Sequence, residues 1–296
     1  MSFRTDLAVE STQSHENSLP SGVTQTERRL GNIYICQVNI TDQSAADILE
    51  KPIGKYITIT SPPMYSSIPL SDDELLAISR EISSLLPPSG TVLVVGLGNN
   101  DITPDAIGPR CAHQVLATRH ISHELAEQSG LPSLRATCVL APGVLGQTGI
   151  ETCEIIRSIT QEINPSSIVA IDALAARSVS RLGTTIQIAS SGISPGSGVS
   201  NRRKELSRET LGVPVISIGI PTVVDASTLV ADILDIDSGD LSEDQRQAFN
   251  LNDRPMMITP REIDLLISQA CKILALVINK ALHPEISFED IAQLSS

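Results

Sequence analysis

The segment Thr91-Val92-Leu93-Val94-Val95-Gly96-Leu97-Gly98-Asn99-Asn100-Asp101-Ile102-Thr103-Pro104-Asp105-Ala106-Ile107-Gly108-Pro109 reads as a strand, a glycine turn and the start of a helix. Its strand, Thr91 to Val95, is continuously apolar, as expected of a strand buried on both faces of a parallel sheet. Pro104 falls where proline suits a helix start, so a helix is expected over Asp105 to His120. The same kind of unit recurs downstream. Ser167 to Ile171 is an apolar strand that runs into Asp172-Ala173-Leu174-Ala175-Ala176.

Working outward, strands are expected at Leu134 to Leu140, Thr184 to Ala189 and Val213 to Gly219. Helices are expected over Ile150 to Ile163 and Val224 to Ile236, with a long C-terminal helix from Thr259-Pro260 to His283-Pro284. Upstream, Ile33 to Ile40 and Tyr56 to Thr60 read as strands, and Ser61 to Pro69 as a proline-rich loop. Ser71 is a helix N-cap with Glu74 at the capping-box position, and Pro87-Pro88 stops that helix. Residues 1–30 are polar and read as a loose N-terminal arm; residues 237–259 read as an acidic surface excursion. The expectation is one α/β domain over 31–296, a mostly parallel or mixed sheet flanked by helices.

Composition narrows the class. Of 296 residues, 41% are apolar but only 2% are aromatic, so the core is built from Ile, Val, Leu and Ala. Acidic residues outnumber basic ones, 34 to 21, for a net charge of −13. That balance argues against direct nucleic-acid binding, whose footprint is basic. Cys36, Cys111, Cys138, Cys153 and Cys271 form no metal-type spacing and read as reduced thiols of a cytosolic protein. No signal peptide or membrane span is read; the apolar stretch at Ile273 to Ile278 lies between Lys272 and Lys280.

Several motifs fail on a specific atom or residue. A dinucleotide fingerprint beginning at Gly96-Leu97-Gly98 needs a third glycine at position 101, which is Asp101, a charge that repels pyrophosphate. Gly192-Ile193-Ser194-Pro195-Gly196 matches a nucleophile elbow, but Pro195 lacks the N–H that its oxyanion hole requires. Asp237-Ser238-Gly239 is a single copy of a motif that pepsin-like enzymes carry twice, and reads as a helix stop. His123-Glu124 lacks the second histidine of a zinc-protease helix. His113 and His120 are too far apart along a helix for one metal, and Arg202-Arg203-Lys204 reads as a solvated basic run.

Asp105 and Asp172 remain. Each follows an apolar strand, where desolvating a carboxylate is costly. Each also has a structural reading, Asp105 as a helix-initial residue and Asp172 as a strand-end cap. Sites in parallel sheets lie beyond the carboxyl ends of the strands. If the two strands are neighbours, the carboxyls can share a proton and activate water. The loops at Gly143 to Gly149, Gly192 to Gly198 and Gly219 to Thr222 would converge on the same edge.

The chain resembles the bacterial spore germination proteases. The matching residues are Arg4 to Glu10, Gly96-Leu97-Gly98-Asn99 with Thr103-Pro104-Asp105-Ala106, and Gly143 to Thr152. They continue through Ala170-Ile171-Asp172-Ala173-Leu174-Ala175, Thr184 to Ile188, Pro195 to Val199, Leu211 to Val215 and Pro221 to Ala226. Asn100 departs from the family, which often carries an aromatic there. The resemblance implies an atypical aspartic endopeptidase with Asp105 and Asp172 as its catalytic pair, no metal or other cofactor, and a fold similar to the hydrogenase maturation endopeptidases. It further implies a homotetramer in the forespore and spore core, with small acid-soluble spore proteins as substrates.

The resemblance also implies a self-processing zymogen. Family substrates are cut after an acidic residue in a Thr-Glu-(Ile/Phe)-Ala-x-Glu context, and Thr5-Asp6-Leu7-Ala8-Val9-Glu10 is similar. Self-cleavage is expected between Asp6 and Leu7, releasing a prosegment of residues 1–6. A metal-assisted maturation-type endopeptidase and a non-enzymatic binder of spore proteins are the alternatives.

Overall fold

The computed structural model describes residues 5–13, 19–121, 134–194, 204–233 and 256–295. Within them, nine strands join in one mixed sheet. In chain order these are β1 (Val23–Leu30), β2 (Ile33–Ile40), β3 (Gly54–Thr60), β4 (Val92–Gly96), β5 (Thr137–Leu140), β6 (Ser167–Ala176), β7 (Thr185–Ala189), β8 (Val215–Asp225) and β9 (Met257–Ile258). Across the sheet the order is β1-β2-β3-β7-β8-β6-β4-β5, with β9 paired to the far end of β8. The strands β8, β6, β4 and β5 run parallel, and the β7-β3-β2-β1 half is antiparallel.

The parallel strands are apolar on both faces because helices cover both. One face carries Val92, Val94, Val169, Ile171, Ile216 and Ile218 beneath the helices Ile263–Leu282, Asp72–Ser83 and Ile107–Ala112. The other carries Leu93, Val95, Ile168 and Ala170 beneath the helix Thr152–Ile163. Helix Ile263–Leu282 is long and apolar enough to cross a membrane by composition, but most of that window is buried in the core. The capping box at Ser71 forms as expected: Ser71 N donates to Glu74 Oε2 at 2.8 Å, and Glu74 N to Ser71 Oγ at 3.3 Å.

Several expected boundaries move. Val23–Leu30 is not a loose arm but strand β1, paired along its length with β2. Ala8–Gln13 is a short helix, and Leu7, Ala8 and Val9 are buried against Leu174, Ala176 and Val38. Apolar burial of these three residues holds a segment that composition alone marks as polar. The helix expected over Asp105 to His120 breaks into a 3₁₀ turn, Thr103–Asp105, and a short helix, Ile107–Ala112. The chain then turns because Asn279 binds it, accepting from Leu116 N at 2.9 Å and donating to Gln114 O at 2.9 Å.

Two strands run further than expected, β6 to Ala176 and β8 to Asp225. Their register shifts between Leu174 and Ala175, opposite Pro221 and Val223, leaving Thr222 as the extra residue of a β-bulge. Proline has no N–H for the ladder, and the bulge absorbs that irregularity. Residues 195–203 and 234–255 are outside the described residues, and with them Pro195, Arg202, Arg203 and Asp237-Ser238-Gly239.

Candidate active site

Gly96, the last residue of β4, pairs with Ile171 of β6, so the two apolar strands of the sequence are parallel neighbours. Leu97 N still donates to Ile171 O at 2.8 Å, after which β4 leaves the sheet. Asp172 is therefore not at the end of its strand. It lies inside β6, at the first position where β6 has lost its β4 neighbour. It faces the same side as Ile168, Ala170 and Leu174, is 5% exposed, and its Oδ1 accepts from Ala173 N at 2.9 Å.

The chain that leaves β4 returns as the Thr103–Asp105 turn, which packs against both β6 and β8. Asp105 is half-buried and its Oδ2 accepts from Asn99 N at 2.7 Å, closing the loop on itself. Gly98, at φ +111°, permits that closure: a Cβ there would sit 2.1 Å from Asp105 O. Gly108 opens the following helix against the strand ends, where a Cβ would sit 2.0 Å from Leu97 O and 2.5 Å from Ile171 O. The two glycines let the Asp105 loop and its helix rest directly on the backbone that leads into Asp172.

The Gly143–Gly149 loop reaches the same place. Gln147 Nε2 donates to Asn99 Oδ1 and to Asp101 Oδ2, both at 2.9 Å. Of the Gly192 loop, Ile193 pairs with Leu206. Gly219 lies inside β8 rather than in a loop, opposite Asp172 of β6 and Gln187 of β7. Among the described residues, no group of three or more His, Cys, Asp or Glu side chains comes together in a way that could hold a metal. All five cysteines are free thiols, and burial raises Cys36 to about 11 and Cys271 to about 12.

Asp6 and Leu7 also lie on β6. Asp6 N donates to Ala175 O at 2.9 Å, and Ala175 N donates back to Asp6 Oδ2 at 2.8 Å. Leu7 is fully buried. Gln187, which sequence reasoning passed over as an active-site residue, contacts this segment through both ends of its amide. Its one signal in the sequence is a long polar residue between Ile186 and Ile188 of an apolar strand.

This is an α/β protein whose polar groups gather at the carboxyl edge of a parallel sheet, and the comparisons with known proteins define it as a peptidase. The family model for germination proteases, Peptidase_A25, matches residues 4–250. The germination proteases of Clostridium tetani and Clostridium perfringens SM101 are each 40% identical, over 98% and 97% of this chain and of their own. That of Priestia megaterium is 36% identical over 98% of this chain and 96% of its own. The chain belongs to the germination protease family. Among solved structures, the [NiFe] hydrogenase maturation protease HycI of Thermococcus kodakarensis is similar at TM-score 0.37 and 16% identity, over 67% of this chain and 98% of that one.

Proposed function

We propose that this endopeptidase begins the breakdown of small acid-soluble spore proteins at germination, cutting after an acidic residue, with Asp105 and Asp172 activating water. The observation that carries the reading is the pairing of Gly96 with Ile171, which makes neighbours of the two strands leading to these aspartates. The ionised member of the pair takes a proton from water as it attacks the scissile carbonyl. The protonated member polarises that carbonyl, and the leaving amine then takes a proton. Carboxyls that share a proton act as a unit, so this reading assigns the roles to the dyad rather than to either residue.

The same reading makes the chain a zymogen that cuts itself between Asp6 and Leu7 and works as a homotetramer in the spore core. The test incubates wild type, Asp105→Asn and Asp172→Asn with a small acid-soluble spore protein and maps fragments by mass spectrometry. Loss of cleavage by at least about a hundredfold in both variants supports the dyad. Near-normal cleavage by either variant overturns it. Matured protein that begins anywhere but Leu7 overturns the self-processing site.

A further inference from the structure

Beyond Ile171, β6 has no strand on its β4 side among the described residues, and the chain's own Thr5–Glu10 segment meets it there at Ala175. The Asp6 backbone N–H and carboxylate meet Ala175 O and N, at 2.9 and 2.8 Å. The Asp6 carbonyl accepts from Gln187 Nε2 at 3.1 Å, and Ala8 N donates to Gln187 Oε1 at 3.2 Å. The Glu10 carboxylate accepts from Arg177 N at 2.9 Å and Ser178 N at 3.0 Å. Lys51 Nζ donates to Thr5 O at 2.8 Å. Between the two carboxylates, Leu7 and Ala8 are buried.

We infer that Ala175 of β6 and the Arg177 and Ser178 that follow the strand, with Gln187 and Lys51, form a peptide-recognition site for two carboxylates four residues apart with apolar residues between them. The chain's own Asp6–Glu10 occupies it, and Gln187 is the residue that positions the peptide. This rests on and deepens the self-processing reading. Strand edges bind extended peptides through main-chain hydrogen bonds. Here side chains are read as well: Ala175 N of β6 receives the Asp6 carboxylate, the N–H groups of Arg177 and Ser178 just past the end of β6 receive that of Glu10, and bonds to ionised acceptors are the stronger kind.

Gln187 also ties recognition to the reaction. It stands opposite Gly219, as Asp172 does from the other side, and all three share one sheet face. Neighbouring strands are about 4.8 Å apart, so Gln187 and Asp172 are separated by two such steps. Its Nε2 holds the carbonyl of the bond expected to be cut. Hydrolysis there adds one water: the Asp6 C–Leu7 N bond breaks, Asp6 gains a carboxylate and Leu7 an ammonium. Residues 1–6 then lose their covalent tether, and the Asp6 slot opens to another acidic residue.

Two measurements test this on the full chain. First, Gln187→Glu keeps the size and the acceptor for Ala8 N but removes the donor to the Asp6 carbonyl. Appearance of a Leu7 N-terminus, followed by mass spectrometry, slows at least tenfold in this variant while the melting temperature stays within a few degrees. An unchanged rate overturns the role of Gln187. Second, a fluorescent peptide, Arg-Thr-Asp-Leu-Ala-Val-Glu, is titrated by anisotropy against Asp172→Asn protein with and without Asp6→Lys. Expelling Asp6 from its slot tightens peptide binding at least tenfold, and Asp→Lys within the peptide abolishes the gain. No tightening overturns the site. Tightening in this assay, together with a wild-type chain that never produces a Leu7 N-terminus, upholds the site and overturns self-processing.

Discussion

Asp172 and Gln187 stand opposite the same residue, Gly219, from the strands on either side of β8. Their face of the sheet is bare of a side chain at the glycine between them, and Leu174 leans into that space. A Cβ at Gly219 would lie 2.6 Å from Leu174 Cγ and 2.9 Å from Asp172 O. Leu174 can rotate away, but the Asp172 carbonyl is backbone and cannot. Gly219→Val is therefore expected to cost about 1–3 kcal/mol of stability, the range for overpacking. Peptidase activity should fall more steeply, at least tenfold, because the strain falls on Asp172. Urea unfolding beside a peptide-cleavage assay separates the two effects.

Gly108→Ala offers a harsher test of the Asp105 loop. The added methyl would meet two carbonyl oxygens, Leu97 O and Ile171 O, and neither has a rotamer to change. The helix Ile107–Ala112 must move off the strand ends, and the Asp105 turn moves with it. Destabilisation of about 3 kcal/mol is expected, near the upper end for overpacking. A urea midpoint that does not move would show that the helix start yields more readily than its backbone contacts imply.

Glu10→Ala should unfasten the N-terminal segment without unfolding the sheet. The carboxylate is 4% exposed and takes the N–H groups of Arg177 and Ser178. Losing a buried acceptor costs about 1–3 kcal/mol per donor left behind. Hydrogen exchange at Ala8 to Thr12 and at Arg177 and Ser178 is expected to quicken at least tenfold, while exchange in β4 stays unchanged. Unchanged protection at residues 8–12 would show that apolar burial alone holds the segment.

His283 sets a pH dependence. It is 1% exposed, and neither ring nitrogen has a hydrogen-bond partner among the described residues. Burial, with the nearby Arg135 charge, pushes it down from 6.5 to about 4. Between those values the unfolded chain takes up a proton that the folded chain refuses. Stability from this residue is thus complete above pH 6.5, falls as pH falls, and levels off near pH 4. The loss amounts to about 3 kcal/mol. His283→Leu should flatten that part of the profile relative to wild type in urea unfolding at pH 7 and 4.5. Parallel profiles would place the titration elsewhere.

Local pattern was enough for much of this protein. The unbroken apolar run Thr91 to Val95 declared a doubly covered strand, and Ser71 with Glu74 declared a helix start, since both signals act within a few residues. The length of β6 was not legible, because Asp172 to Ala176 extend only by pairing with β8, far away in the chain. Nor was the helix break after Ala112, which depends on Asn279. The N-terminal residues misled for the same reason: a polar composition says nothing of the Leu174 and Ala176 surface on which Leu7 and Ala8 are buried.

The family was thus written in the sequence, through motifs that each sit within a short stretch. Only the tertiary structure decided that β4 and β6 lie side by side, that Asp172 marks the point where β4 departs, and that Asp6 occupies the edge so opened. The physical reason is that strand adjacency is set by backbone hydrogen bonds between segments dozens of residues apart. Those bonds are alike for every side chain, and leave no mark on the sequence that uses them.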